Sequence, residues 1–440
     1  MSPLFLRRAL WAHGASYFTY TSCQNSLLRP AHCGPSLASI ALTEYSLPER
    51  LNIGIVGAGA RGLWTLGHEF VRRIGDVRVL AFCDPRPDLR EHLDYVKSDV
   101  TEKIGPVDYD IAALRSIDDL LAIDAIQMVF LATPDHLHVE YAEQIMDSGR
   151  DLLIEKPMAT TVEGVNRIAE AQKRTGRKLY VGFPLRSNVL HSRARQLVTS
   201  GAIGRPISYN DYFALGRGYF RSRGRFREFT GSLLAEKATH SFDLMSWLMG
   251  SDPARVSCFS RTLVFKPNPE AADRCCDCKL TATCPDYVDA PRDAVGRDGD
   301  PRDLCVYNSE KDNDDTDVIT LEYASGALGS FVEVMYSPSV ERRYSIVGDR
   351  GKIRASEETG IIQVQKLGSK EVVEEQLEYP PGGHRGSDPQ LVTDAIAYFR
   401  GETPEGVQPT VHAGRTSVLT ALAALKSSDE NRVVDLSELT

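Results

Sequence analysis

The sequence predicts an α/β protein in two parts: an N-terminal doubly wound parallel sheet, then an α+β domain with an open, mainly antiparallel sheet. Three observations predict it. Apolar runs of strand length alternate with stretches of helical periodicity between residues 50 and 185, the pattern of right-handed βαβ crossovers. A glycine run, Gly57-Ala58-Gly59-Ala60-Arg61-Gly62, stands between the first strand and the first helix. From residue 186 onward, strand-like runs follow one another with few helices between them, which implies antiparallel or mixed pairing.

Each element follows from its own pattern. Leu51–Val56 reads as a short buried strand, after which Leu63, Leu66, Phe70, Val71 and Ile74 recur at helical spacing. Val77–Phe82 is a second strand and Ile126–Ala132 a third, with a helix over His138–Ser148. Asp151–Glu155, a helix over Val162–Thr175 and the strand Lys178–Phe183 complete the first domain, residues 50–185. In the second, residues 186–440, helices are expected at Leu190–Thr199, Leu233–Met249, Pro389–Arg400 and Ala413–Ser427. Its strands are expected at Ile207–Phe213, Val318–Tyr323, Ala327–Tyr336, Tyr344–Val347, Lys352–Ala355 and Ile361–Lys366. A Cys-, Asp- and Pro-rich insertion covers residues 266–316, and no internal repeat is present.

Composition excludes several classes. With 42% hydrophobic and 25% charged residues over 440 positions, the chain is globular and too long for one core. A net charge of −9 argues against general nucleic-acid binding, and no apolar run is long enough to cross a bilayer. Nine cysteines, an odd number, argue against a disulfide framework and for a reducing, cytoplasmic setting. Residues 1–49 read as a flexible arm or targeting segment. They carry Arg7, Arg8 and Arg29 with no acidic residue before Glu44, so organellar import or export stays open.

Gly57, Gly59 and Gly62 form a complete G-x-G-x-x-G at a strand-to-helix turn. The first permits the turn, the second lets backbone approach a pyrophosphate, and the third lets helix and strand pack closely. The phosphates would rest on the helix N-terminus. Asp84 ends the second strand, 22 residues after Gly62, where a carboxylate accepts from a ribose diol. Its charge favours NAD over NADP, although Arg86 is near enough to pair with a 2′-phosphate if Asp84 turns away. Thr133 and Pro134 end the third strand at the same sheet edge; His136 and His138 follow, and a helix-start residue such as His138 reads as a surface histidine.

Glu155-Lys156-Pro157 ends another strand of this sheet. A Lys ammonium there can bind a substrate hydroxyl and help move its proton, and partial burial would tune its pKa; a Glu–Lys ion pair is the plainer alternative. Glu236 and His240 stand four apart on one predicted helix, with Asp243 on nearly the same face. A carboxylate so placed can orient an imidazole acting as general acid or base; a satisfied polar stripe would look the same.

The glycine fingerprint, Ala132-Thr133-Pro134, Glu155-Lys156-Pro157 and the carboxylate-x-x-x-His helix occur in this order and at these separations. Together with Val181–Arg186 and Ser200–Pro206, they resemble the glucose–fructose oxidoreductase / inositol dehydrogenase (Gfo/Idh/MocA) family over about residues 50–436. The resemblance implies a Rossmann domain binding NAD and a second domain that covers a small sugar-like substrate and mediates homo-oligomers (dimer or tetramer). It implies Lys156 at substrate and nicotinamide, His240 as acid/base, Glu236 where the family usually has Asp, and Arg186 near the cofactor. It also implies a substrate mouth lined by the segment Arg217–Arg227, with Tyr219 and Arg221, and by His384. A solvated basic loop answering the acids of Glu310–Asp317 is the alternative for that segment.

Cys275-x2-Cys278-x5-Cys284, with Cys305 beyond a further 20 residues, is compatible with a structural zinc site; a reduced cluster or a local disulfide are the alternatives. The leading activity is NAD(P)-dependent hydride transfer to or from a sugar, polyol or related hydroxyl. An NAD-dependent glycosidase with transient internal redox and a non-catalytic nucleotide sensor of the same fold are the alternatives.

Overall fold

Six parallel strands build the first sheet: β1 (Leu51–Val56), β2 (Val77–Cys83), β3 (Ala112–Leu114), β4 (Met128–Leu131), β5 (Asp151–Glu155) and β6 (Leu179–Gly182). The structure is a computed structural model that describes residues 50–222, 225–296, 299–402 and 408–439. The arm expected over residues 1–49 lies outside them, as does the side chain of Tyr219. The strand order is β3-β2-β1-β4-β5-β6, the doubly wound order in which the winding reverses between β1 and β4 and opens a crevice at their carboxyl ends. Helices α1 (Leu66–Arg72), α2 (Leu89–Lys103), α3 (Ile117–Leu121), α4 (His138–Asp147) and α5 (Val162–Thr175) cover the faces. Burial of Ile53, Ile55, Val79, Met128, Phe130 and Leu153 follows from helices on both sides. The α5 bounds match the sequence reading because both ends carry signals. The Thr161 hydroxyl accepts from the Gly164 N–H at 3.0 Å, and Gly176 takes the left-handed C-cap at φ 65°.

The second sheet has nine strands: β7 (Pro206–Gly216), β8 (Pro253–Arg261), β9 (Thr316–Tyr323), β10 (Leu328–Ser337), β11 (Glu341–Gly348), β12 (Gly351–Ser356), β13 (Ile361–Lys366), β14 (Val373–Gln376) and β15 (Val434–Asp435). Every neighbouring pair is antiparallel except β7 and β10. Helix α6 (Val189–Thr199) lies between the sheets in sequence, α7 (Arg227–Thr230) and α8 (Thr239–Met249) lie between β7 and β8, and α9 (Gly383–Arg400) and α10 (Val411–Glu430) come after most of the second sheet. Strand β8 escaped the sequence reading because its alternation is inverted in size: Phe259 is exposed while Cys258 and Ser260 are buried.

Two departures from the expected layout shape the site. First, α9 returns to the first sheet. Leu391, Val392, Ala395, Ile396 and Phe399 share one buried cluster with Val77, Val79 and Leu153, so packing crosses the boundary expected near residue 185. Second, the helix expected over Leu233–Met249 begins as a wide turn, Leu234–Ala238, and becomes regular only at Thr239. The wider winding changes which side chains share a face.

Candidate active site

The glycine turn is built by close approach. Gly57 has φ +93°, and a Cβ there would lie 2.5 Å from the Ala132 carbonyl oxygen. A Cβ on Gly62 would meet the Gly57 oxygen at 1.8 Å, whereas one on Gly59 would meet nothing within 4 Å. Only Gly59 therefore borders free space. The Ala58 N–H donates to Asp84 Oδ2 at 2.7 Å, and the Arg86 N–H to Asp84 Oδ1 at 3.0 Å. Arg86 also donates from its guanidinium to the Ala58 carbonyl at 2.9 Å, so Asp84 and Arg86 both fix the loop. Arg61 Nη2 and Thr133 Oγ1 are buried without a protein partner. Open space at Gly59 and these unspent polar atoms fit the pyrophosphate and nicotinamide end of a dinucleotide.

Arg61 leaves this loop to bridge two carboxylates, Glu155 at 2.9 Å and Asp388 at 3.0 Å. Burial opposes its charge, but the two acids outweigh burial and raise its pKa. Asp388 in turn lies 3.0 Å from Nδ1 of His384, which occupies a left-handed run with Arg385 and Gly386 ahead of the regular part of α9. The chain Glu155–Arg61–Asp388–His384 thus links the ends of both halves of the sequence.

Lys156, following Glu155, donates from Nζ to the Glu236 carbonyl oxygen at 2.8 Å. Burial first, then the neighbouring Lys237, lowers its pKa. His240 stands with its ring centroid 5.9 Å from that of His384, and its Nδ1 is buried with no protein partner. Burial first, then Lys156, holds the imidazole well below its ordinary pKa and therefore neutral. Glu236 does not hold His240 by Nδ1 as expected; its carboxylate pairs with Lys237 at 2.8 Å. The wide turn over Leu234–Ala238 is the cause, because it removes the four-residue helical register on which that expectation rested.

Several site residues were not read from the sequence. Asp135, on the turn after β4, is pushed up to about 7 by burial, with Lys156 opposing. Asp317, Glu333, Phe213 and Arg342 form one row across β9, β10, β7 and β11 by register. Glu333 is wholly buried with neither carboxylate oxygen partnered, and burial followed by Asp317 raises its pKa well above the ordinary value. Arg342 donates to Asp211 and to the Ser241 hydroxyl, each at 2.8 Å, tying the row to α8. The available signal was strand alternation: each of these charges occupies an inward position among apolar residues.

Other expected site residues are placed elsewhere. Arg186 grips Asp243 through two hydrogen bonds, at 2.6 and 2.9 Å, and donates to the Gln408 carbonyl at 3.0 Å, a buried pair that anchors α8. Arg221 donates to the Asp286 carbonyl, and Arg217 pairs with the Asp286 carboxylate at 2.7 Å, so this basic segment is spent on the Cys-rich insertion. His136 is exposed. His138 is the opposite of the surface histidine expected: it is buried, with Nδ1 2.8 Å from the Pro157 oxygen and Nε2 3.1 Å from that of Thr133. Among the described residues no three His, Cys, Asp or Glu side chains are disposed to hold a metal ion. The single zinc ion that the spacing of Cys275, Cys278, Cys284 and Cys305 suggested therefore has no site, and all four are free thiols.

A nucleotide crevice at a winding reversal, with Lys156 at the end of β5 of the same sheet and His240 at the start of α8, defines an NAD-dependent oxidoreductase. Residues 51–183 match the family model described as "Oxidoreductase family, NAD-binding Rossmann fold", and residues 195–436 match "Oxidoreductase family, C-terminal alpha/beta domain". The chain belongs to this Gfo/Idh/MocA family, and its cofactor is NAD. It is 28% identical over 367 residues to the protein of Bacillus subtilis (strain 168) named "Putative oxidoreductase YteT", a match covering 74% of this chain and 84% of that one. It is 23% identical over 401 residues to the myo-inositol 2-dehydrogenase of Thermotoga maritima, covering 88% and 99%. Among solved structures, a levoglucosan dehydrogenase in complex with NADH shares the fold with a TM-score of 0.67 at 19% identity, covering 88% of this chain and 99% of that one.

Two outcomes follow from this geometry. Gly59→Ala should leave the melting temperature within a few degrees of the parent yet weaken NAD binding at least tenfold by calorimetry. Gly62→Ala should lower both, and a Gly59 variant that binds NAD normally would remove the glycine from the site. The second concerns Asp317, pushed up to about 7 chiefly by burial. A carboxyl whose pKa is raised on folding stabilises the fold below its unfolded value, about 3.9, and that contribution is lost as pH rises through about 7. Asp317→Asn should flatten the decline in melting temperature across that window; identical slopes in both proteins would refute the assignment.

Proposed function

We propose that this protein is an NAD-dependent dehydrogenase acting on a hydroxyl of a sugar, polyol or sugar-derived compound. The observation that carries the reading is the juxtaposition of Lys156 and His240 through the Glu236 turn, with the histidine Nδ1 unpartnered beside His384. Similarity to a protein named for myo-inositol oxidation supports the substrate class. When bound, NAD supplies the acceptor for hydride from the substrate carbon.

The protein residues manage the proton. Neutral His240 takes it from the substrate hydroxyl, which suits an imidazole held below its ordinary pKa. The Lys156 ammonium, fixed at one hydrogen by the Glu236 carbonyl, donates another to the same oxygen and stabilises the negative charge that develops there. Glu236 neutralises Lys237 so that a second cation does not bear fully on Lys156. His384, held by Asp388, contacts a neighbouring hydroxyl of the substrate. We further propose that copies of the chain associate through the exposed face of the second sheet, where Ile207, Phe259, Val318 and Leu328 are each at least 40% exposed. A monomer mass by light scattering at micromolar concentration would argue against this.

Lys156→Met should lower kcat by orders of magnitude on a sugar and polyol panel while NAD affinity stays within a few-fold; unchanged turnover would overturn the role. The pH profile of kcat/KM should be a bell with both limbs displaced to acid. Its acid limb, from His240, should lie below about 6.5 and its alkaline limb, from Lys156, below about 10.4. An acid limb that survives His240→Asn belongs to another group. NAD retained through purification, with glycoside cleavage but no net reduction, would favour the internal-redox glycosidase.

A further inference from the structure

Helix α8 carries His240 in its first turn, directly after the wide turn Leu234–Ala238. Where winding changes, the direction of the next side chains is not set by helical register alone, and a contact from outside the helix fixes it. Arg342 makes that contact. It reaches α8 from β11 and donates from Nη1 to the Ser241 hydroxyl at 2.8 Å. Consecutive helical residues point about 100° apart, so Ser241 meets the second sheet while its neighbour His240 meets His384.

Arg342 is 2% exposed and held on several sides. Nη1 also donates to Asp211 Oδ2 on β7 at 2.8 Å, and the guanidinium carbon lies 4.2 Å from the centre of the Phe213 ring. Its Nε stands 3.8 Å from one oxygen of Glu357, just after β12. The other oxygen of Glu357 is 3.3 Å from Nε2 of His191 on α6, whose Nδ1 lies 3.0 Å from the Tyr344 hydroxyl. Burial opposes the charge of Arg342, but Asp211 and Glu357 outweigh burial and keep it charged. Arg385, the neighbour of His384, also acts on Glu357. The chain neighbours of both histidines, Ser241 and Arg385, therefore lead to one arginine–carboxylate pair.

A buried ion pair is often no more stabilising than apolar packing of the same volume, so stability alone does not account for this one. On the reading of His240 as the base, we propose that Arg342 is a positioning residue for the reaction, fixing His240 through Ser241 and setting a permanent cation beside it. After burial, the neighbours that disfavour the imidazolium are Lys156 at the end of β5, His384 on α9, Arg342 on β11 and Lys237 on the wide turn. The acids of those elements and of α8 are engaged elsewhere: Glu236 by Lys237, Asp388 by Arg61 and His384, and Asp243 by Arg186. Lys156 and His384 are assigned to the substrate, whereas Arg342 reaches the reaction through His240 alone.

Three variants of the full chain, assayed with NAD on the sugar and polyol panel beside the parent, separate placement from charge. Ser241→Ala removes the contact and keeps the cation. Its kcat should fall about tenfold, with KM within a few-fold and the acid limb of kcat/KM unmoved. Arg342→Gln removes both, so kcat should fall at least as far. Its acid limb should move to higher pH by about half a unit or more, because losing a nearby cation favours the imidazolium. Arg342→Lys restores the cation and should return the limb to the parent's position, which a merely structural role would not do. Ser241→Ala at the parent's kcat, or an unmoved acid limb in Arg342→Gln, would overturn the role. Where Arg342→Gln fails to fold, the kcat of Ser241→Ala decides. A parent inactive across the panel overturns the dehydrogenase reading and this role together, whereas an active parent with unchanged variants overturns the role alone.

Discussion

Arg61 is the interaction on which the crevice depends. It occupies a variable position of the glycine fingerprint, yet its guanidinium joins Glu155 at the end of β5 to Asp388 of α9. Three segments separated by 94 and 327 residues from or around this arginine are thereby fixed at one point. Both acids are almost fully buried, with side-chain exposures of 7% and 3%. Removing the arginine would strand two buried carboxylates, a class of change that costs about 3–5 kcal/mol. The nucleotide loop, the Lys156 strand end and the His384 loop are therefore not independent parts: each is positioned by the same side chain.

That arrangement also explains how the site holds so many charges. Lys156, Lys237 and His240 lie among Asp135, Glu155, Glu236 and Glu333, and burial is the first influence on Lys156, His240, Asp135 and Glu333. For these four the neutral form is favoured unless a partner compensates. Arg61 has compensation and stays charged; His240 has cations around it and stays neutral. Asp135, opposed by Lys156 but deeply placed, titrates near neutrality. The groups proposed to move a proton, Lys156 and His240, are in no ion pair among the described residues, while Arg61, which holds geometry, is paired with two acids.

The sequence made the first sheet legible because each of its signals is local. Gly57, Gly59, Gly62 and Asp84 sit at fixed offsets along one strand-turn-helix unit, and strands such as Met128–Leu131 are apolar on both faces. Lys156 and His240 were legible for the same reason. What was not legible depends on register or on winding. The row Asp317–Glu333–Phe213–Arg342 exists only once four strands are paired, so no window of sequence contains it. Glu236 was assigned to His240 from a 3.6-residue period that the chain abandons there. His138 reads as polar and helix-initial, but a buried imidazole between two carbonyl oxygens serves packing of the loops after β4 and β5. Arg186 and Arg221 carry charges whose partners, Asp243 and the Asp286 carbonyl, lie 57 and 65 residues away.

The Cys-rich lobe, the least regular part of the described chain, bears on the most exacting one. The segment before α8 is fastened to it repeatedly: Arg217 to the Asp286 carboxylate, Arg225 to Asp300 at 2.7 Å, and the Leu233 N–H to Asn313 Oδ1 at 2.9 Å. Directly beyond, the Ser232 hydroxyl accepts from the Ala235 N–H at 2.9 Å and so starts the wide turn that carries Glu236 and Lys237. The carbonyl that orients Lys156 belongs to this turn, and His240 follows it within one winding. A displacement of the lobe would therefore reach the lysine through a backbone oxygen and the histidine through the start of its helix. Fixing the lobe fixes the relative placement of Lys156 and His240, the two groups proposed to share the substrate proton, which gives an irregular insertion far from the nucleotide loop a physical reason to be rigid.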